Sequence, residues 1–187
     1  MVLPVSSPDR SLDPHRAAFR SAPIPAVVIP NVISPAAAEP LRDAVLSAPF
    51  TRFDLAPRGR YAFLDAAPNP ALEGALLAIA EPIVERRLEV ASSRWSRLVH
   101  GDYALLRDDR ADKPSVELTL DISERASGGA EICYCHRGRL VFAAPQIPGS
   151  LTIVKRGPSI RRYERYLSRH VGDAEIVRLR LVLHDAD

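Results

Sequence analysis

The residues best equipped for chemistry lie in short charged or thiol-bearing stretches. In the corner Arg107-Asp108-Asp109, which runs on through Arg110, Asp112 and Lys113, carboxylates alternate with cations. A guanidinium there can stabilise a developing oxyanion while a neighbouring aspartate takes a proton. The same corner also reads as a solvated loop of mixed charge. Cys133-Tyr134-Cys135-His136 offers two thiols and an imidazole, ligand types that suit zinc or copper. On a strand, however, residues two apart share a face, so the thiols point together and His136 points away. No second ligand pair follows at zinc-ribbon spacing, and buried core thiols beside a hairpin turn are the expectation. Arg161-Arg162 and Arg178-x-Arg180 present guanidinium forks that fit a carboxylate. Two charges on one face of a central strand are costly to bury unpaired, so at least one of Arg178 and Arg180 should meet a carboxylate. His100-Gly101-Asp102 is a literal His-x-Asp.

The elements that must position these groups fall into two halves. Up to about Ser21 the chain is polar and rich in Pro and Ser, and reads as a flexible tail or wrapping arm, with one domain over residues 22–187. "IPAVVIPNVIS" reads as a strand and turn. Ser34 and Pro35 form an N-cap and first-turn pair for the helix "SPAAAEPLRDAVLSA", which Pro40 should kink. A loop is expected around "DLAPRGRYAFLDAAPNP", then a second helix from about Ala71 to Val90, interrupted by Pro82. From Arg94 onward about seven short β-rich runs are separated by turn signals at Asp112–Pro114, Ser127–Gly129, Arg137–Gly138, Pro148–Gly149 and Gly172–Asp173. In "VELTLDI" the row Val116, Leu118, Leu120, Ile122 alternates with Glu117, Thr119, Asp121. In the last run Arg178 and Arg180 alternate with Leu179, Leu181 and Leu183. Tyr163, Tyr166 and Leu167 of "RRYERYLSRH" are expected to pack inward, and Trp95 to pack in the barrel or at its rim. Helices followed by short strands predict an α+β domain on a jelly-roll barrel.

Composition excludes several functions. The formal charge of +2 is small, the basic residues are scattered, and aromatics make up only 6%, so no nucleic-acid partner is expected. Apart from Lys113 and Lys155 the basic residues are all arginine, which points to a genomic bias and weakens the meaning of any single Arg. No stretch approaches the roughly 20 apolar residues of a membrane span, and the N-terminus lacks the basic and apolar regions of a signal peptide. The expectation is a cytoplasmic protein with free thiols and no membrane partner. No phosphate-binding Gly-rich loop or Gly-x-Ser-x-Gly elbow is present, which leaves nucleotide-dependent and serine-hydrolase chemistry without support.

Taken in order, "GDYALL", "VELTLDIS", "SGGAEICY", "APQIPGSLTIV" and "EIVRLRLVL" resemble the iron(II)/2-oxoglutarate-dependent dioxygenase superfamily in its prolyl-hydroxylase-like branch. The resemblance covers Arg94 to Leu183 and the helices that would buttress the barrel. It implies a double-stranded β-helix (jelly-roll) barrel, iron(II) and 2-oxoglutarate as cofactors, and a small-molecule substrate of anionic character. The superfamily's His-x-Asp and distal His hold the metal, and a basic residue on the last strand pairs with the co-substrate. Carried over, the first His falls on Arg107, the metal-binding carboxylate on Asp109 and the distal His on Arg161 or Arg162. Arg178 or Arg180 takes the 2-oxoglutarate role. Both imidazoles are thereby replaced by guanidinium, which has no lone pair to give a metal and would pair with Asp109 instead. A second register, His100 with Asp102, leaves the distal His to His170 or His184, neither at the expected distance after Gly149. Two functions follow. One is an enzyme with an atypical or metal-free site in which Arg107, Asp109 and Arg161 are catalytic. The other is a non-catalytic relative that binds a small carboxylate or a protein partner.

Overall fold

The computed structural model describes residues 11–67, 69–105, 111, 113–168 and 172–186. They form three helices and eleven strands, and the strands make one sheet. Helices α1 (Asp13–Ser21), α2 (Pro35–Leu46) and α3 (Pro70–Val84) accompany β1 (Ala26–Ile29), β2 (Thr51–Leu55) and β3 (Gly59–Asp65). The strands β4 (Leu88–Leu98), β5 (Tyr103–Ala104), β6 (Ser115–Asp121) and β7 (Ile132–His136) follow. Then come β8 (Arg139–Ala144), β9 (Leu151–Arg156), β10 (Ile160–Glu164) and β11 (Ile176–Asp185). The spatial order is β1-β9-β6-β11-β4-β3-β5-β10-β7-β8, with β2 paired to β3, and every pairing is antiparallel.

The sheet rolls back on itself. Ala26 of β1 and Val154 of β9 share an apolar cluster with Ile132 and Tyr134 of β7 and Ala144 of β8, which nearly closes the barrel. The outer face of β6, β9 and β11 packs on the helices: Leu118, Leu120, Ile153, Leu179, Leu181 and Leu183 join Leu41, Leu72, Leu76 and Ile83 in one core. The expected α+β jelly-roll barrel is therefore present, and Trp95 lies in this core.

Local signals explain several boundaries. The Ser34 side chain accepts from Ala37 N and caps α2, which continues through Pro40. Gly149, at φ 76°, fits the turn into β9 because a Cβ there would sit 2.5 Å from the Ile33 carbonyl oxygen. Other expectations need correction. The N-terminal arm is not loose as far as Ser21, because Asp13–Ser21 form α1: Phe19 is buried, and Arg16 donates to the Pro82 carbonyl at the end of α3. The stretch read as a loop is the β2–β3 hairpin, carried by the Phe53, Tyr61 and Phe63 rings. The α3 helix stops at Val84, where Glu85 turns left-handed at φ 60°. Tyr166 faces solvent, Tyr163 is half-buried, and only Leu167 of that trio packs inward fully.

Candidate functional site

The period-2 alternation of β6, β9, β10 and β11 sends one row of side chains to the helices and the other into the barrel. The inward row is charged. β6 contributes Glu117, Thr119 and Asp121, β9 ends in Arg156, β10 supplies Arg162 and Glu164, and β11 supplies Arg178 and Arg180. The charged side chains among them join into one continuous chain of ion pairs. Arg178 donates from Nε to Asp121 at 3.1 Å, from one terminal nitrogen to Glu164 at 2.8 Å, and from the other to the Ala130 carbonyl at 2.8 Å. Glu164 accepts from Arg162 at 2.5 Å, and Arg162 in turn pairs with Glu117 at 3.0 Å. Glu117 gathers Arg156 and Arg180, both at 2.8 Å, and the Tyr134 hydroxyl at 2.5 Å.

Burial at this depth penalises every charge, and the network offsets the penalty. Burial alone would raise the Glu117 carboxyl, but Arg180, Arg162, Arg156 and the Tyr134 hydroxyl outweigh it and hold the group at about 2. Burial opposes ionisation of Glu164 too, and Arg162 and Arg178 keep its carboxyl below the usual range. Burial, reinforced by Glu117, pushes the Tyr134 phenol well above its ordinary value, so it remains a proton donor in its hydrogen bond. Both carboxylates are thus fixed as anions.

Two cavities flank this network, and Arg180 lines both. The first, about 190 Å³, is the barrel mouth, where Arg58, Arg94, Arg162, Arg180 and Glu164 meet an apolar wall of Tyr61, Leu98 and Leu105. Arg94 is held at its rim over the Phe63 ring, 4.8 Å from the centroid, and by Asp65 at 2.7 Å. The second, about 360 Å³ and open to solvent, lies toward the far ends of β6 and β11.

The site residues read from the sequence separate in this structure. Arg107 and Asp109 lie outside the described residues, although Leu105 and Ala111 beside that segment line the two cavities. Arg161 is exposed on the outer side of β10, so it is not the inward residue; strand alternation gives that position to Arg162. Arg178 and Arg180 both meet carboxylates, and the carboxylates are the chain's own. His100 is exposed, whereas Asp102 is fully buried, bound by both terminal nitrogens of Arg52 and by Val99 N. That pair does not face a common cavity as a ligand set would. Cys133 and Cys135 are buried free thiols, and burial together with Cys133 raises Cys135. Glu117, Glu164, Arg156 and Tyr134 went unassigned in the sequence reading. The alternating polar row of β6 was the available sign for Glu117.

Iron does not fit the described residues. Among them no cluster of three or more His, Cys, Asp or Glu side chains is placed to share a cation. The inward carboxylates are already bound by guanidinium, and the β10 position facing inward holds Arg162. A 2-oxoglutarate carboxylate would likewise have to displace Asp121 or Glu164 from Arg178.

Solved structures match this barrel over almost its whole length. An oxidoreductase of the 2OG-Fe(II) oxygenase family from Burkholderia pseudomallei aligns with TM-score 0.67 and 12% identity, covering 97% of this chain and 95% of that one. The fold is that of the 2-oxoglutarate/iron(II) oxygenases. The non-heme α-ketoglutarate-dependent epimerase SnoN from nogalamycin biosynthesis aligns at 0.69 and 11% identity, over 94% and 84% of the two chains. A Pseudomonas putida prolyl-4-hydroxylase aligns at 0.64 and 11%, over 95% and 100%. No family model matches the oxygenase-fold chain, and no curated protein does.

Proposed function

We propose that this oxygenase-fold protein binds a small organic anion in the barrel mouth and does not run iron/2-oxoglutarate turnover. The observation that carries this reading is the ion network in the barrel interior. Four guanidinium groups, those of Arg156, Arg162, Arg178 and Arg180, face the carboxylates of Glu117, Glu164 and Asp121. Arg180, about a fifth exposed, is where an incoming anion can reach the network. The mouth adds Arg58 and Arg94 opposite Tyr61, Leu98 and Leu105, a combination that suits a carboxylate attached to an apolar body.

The same network argues against proton-transfer catalysis in the mouth. A general base works best with a pKa near the working pH, and Glu164, the carboxyl that lines the mouth, is held below the usual carboxylate range by Arg162 and Arg178. SnoN has been solved in complex with Fe³⁺, α-ketoglutarate and nogalamycin RO, so a barrel of this type can hold small molecules. A fold this widely reused leaves the choice of ligand and chemistry to the site.

The test is anaerobic titration with iron(II) and 2-oxoglutarate, followed by absorbance, alongside calorimetry with simple aryl and alkyl carboxylates. The reading expects no metal-to-ligand charge-transfer band, and carboxylate binding that weakens about tenfold or more in Arg180→Ala. Stoichiometric iron binding with decarboxylation of 2-oxoglutarate would overturn it.

A further inference from the structure

The sequence reading expects core thiols at Cys133 and Cys135. The structure buries both, yet neither belongs to the three apolar clusters that make the core. Tyr134 between them points into the barrel, where it reaches Glu117, so alternation turns both thiols to the outer side of β7. The helices cover the barrel elsewhere, over β6, β9 and β11. On the β8 side Cys133 lies opposite Ala143 and Cys135 opposite Leu140, both exposed. On the β10 side Cys135 faces exposed Arg161, and Cys133 faces half-buried Tyr163. Tyr163 shares hydrogen bonds with Cys133 and with Arg165, so the thiols form a shallow row beneath long side chains. They are close enough for each to feel the other's charge.

We propose that Cys133 and Cys135 form a two-thiolate site for a soft monovalent cation of the copper(I) class. β7 keeps one register with β10 from Ile132 to His136, so it is regular strand through both cysteines. Two residues of strand span about 6.6–6.8 Å, the upper limit for the Cα atoms of a disulfide. A direct sulfur–sulfur bond is therefore disfavoured, whereas a metal between the sulfurs adds two bonds of roughly 2.3 Å and suits that spacing. Zinc would need two more ligands to complete a tetrahedron. His136 faces the opposite side, and among the described residues no third His, Cys, Asp or Glu joins the pair. Copper(I) is soft and accepts two thiolates alone. Its binding releases both thiol protons to solvent and leaves a complex with one net negative charge. Arg161 opposite Cys135, and Arg165 beside Tyr163, set positive charge next to that anion. Cys135, at 6% exposed, is the point of entry.

The test is anaerobic titration of the reduced protein with copper(I) against bicinchoninate as a competing chelator, followed by X-ray absorption at the copper edge. The same titration is run on Cys135→Ser and Arg161→Glu, with folding checked by far-UV circular dichroism and melting. The wild type should retain one copper per chain with sulfur neighbours only, and Cys135→Ser should lose it. Arg161→Glu keeps both thiols and alters only an exposed position, and should weaken retention about two- to fivefold. No copper retained by the wild type, or copper retained alike by the wild type and Cys135→Ser, overturns the site. Should Cys135→Ser not fold, Arg161→Glu decides, and unchanged affinity there overturns it. The site lies outside the barrel, so carboxylate binding in the mouth should be the same in Cys135→Ser as in the wild type, and the two readings fail separately.

Discussion

The two faces of β6 and β11 solve the same burial problem with opposite chemistry. On the helix side Leu118, Leu120, Leu179, Leu181 and Leu183 form a hydrocarbon core. On the barrel side Glu117, Asp121 and Arg178 are buried almost as deeply and Arg180 is about a fifth exposed, and all four are held by ion pairs. The hydrocarbon face is stabilised by removing apolar area from water and tolerates swaps of similar volume. The ionic face is stable only as a set, because each charge is there on account of its partners.

Breaking the set should have the largest effect. Glu117→Ala removes the carboxylate that Arg156, Arg162 and Arg180 share, and should cost roughly 3–5 kcal/mol in urea denaturation or prevent folding. A loss below about 1 kcal/mol would mean that water reaches the interior and screens the charges. On the hydrocarbon face Leu118→Ala should cost about 2–5 kcal/mol through a cavity. It should leave the acid sensitivity of the protein unchanged, and that separates the two faces.

Acid is the next lever. The Glu117 carboxyl sits at about 2 in the folded protein against an ordinary value of 4.5, and Glu164 is shifted in the same direction. A group lowered on folding contributes its stability above the unfolded pKa and loses it as pH falls through the folded one. Stability should therefore decline from about pH 4.5 toward pH 2. Comparing urea midpoints across that range checks this. A flat profile would show that the network is not what the carboxylates depend on.

The smallest effect comes from an outward arginine on β10, set against its inward neighbour. Arg161→Ala, on the outer side, should change stability by no more than about 0.5 kcal/mol. Arg162→Ala removes a partner from both Glu117 and Glu164 and should cost several kcal/mol. Equal effects would mean that β10 is out of register with β7.

Much of the barrel was legible because alternation is a backbone property. The rows of β6 and β11, the Ser34 cap and the turn at Gly149 are local signals, and each appears where the sequence places it. The β2–β3 hairpin was missed because the Phe53–Tyr61 pair that joins it is made across strands and shows in no single run. Helix α1 was missed because a polar, Pro-rich segment has low intrinsic preference, and burial of Phe19 and contacts to the end of α3 override it. Within the site, spacing after Gly149 could not choose between Arg161 and Arg162. Glu164 drew no attention, because a lone acid among arginines looks like an ordinary surface strand.

By itself the sequence determined the run of short strands after Arg94, which residues of β6 and β11 share a face, and that the inner row of the last strand is cationic. These follow from a two-residue repeat and from guanidinium remaining protonated. Only the tertiary structure decided which acids those cations meet. Glu117, Asp121 and Glu164 come from β6 and β10, brought around Arg178 and Arg180 by closure of the sheet, and no local rule links charges that far apart along the chain.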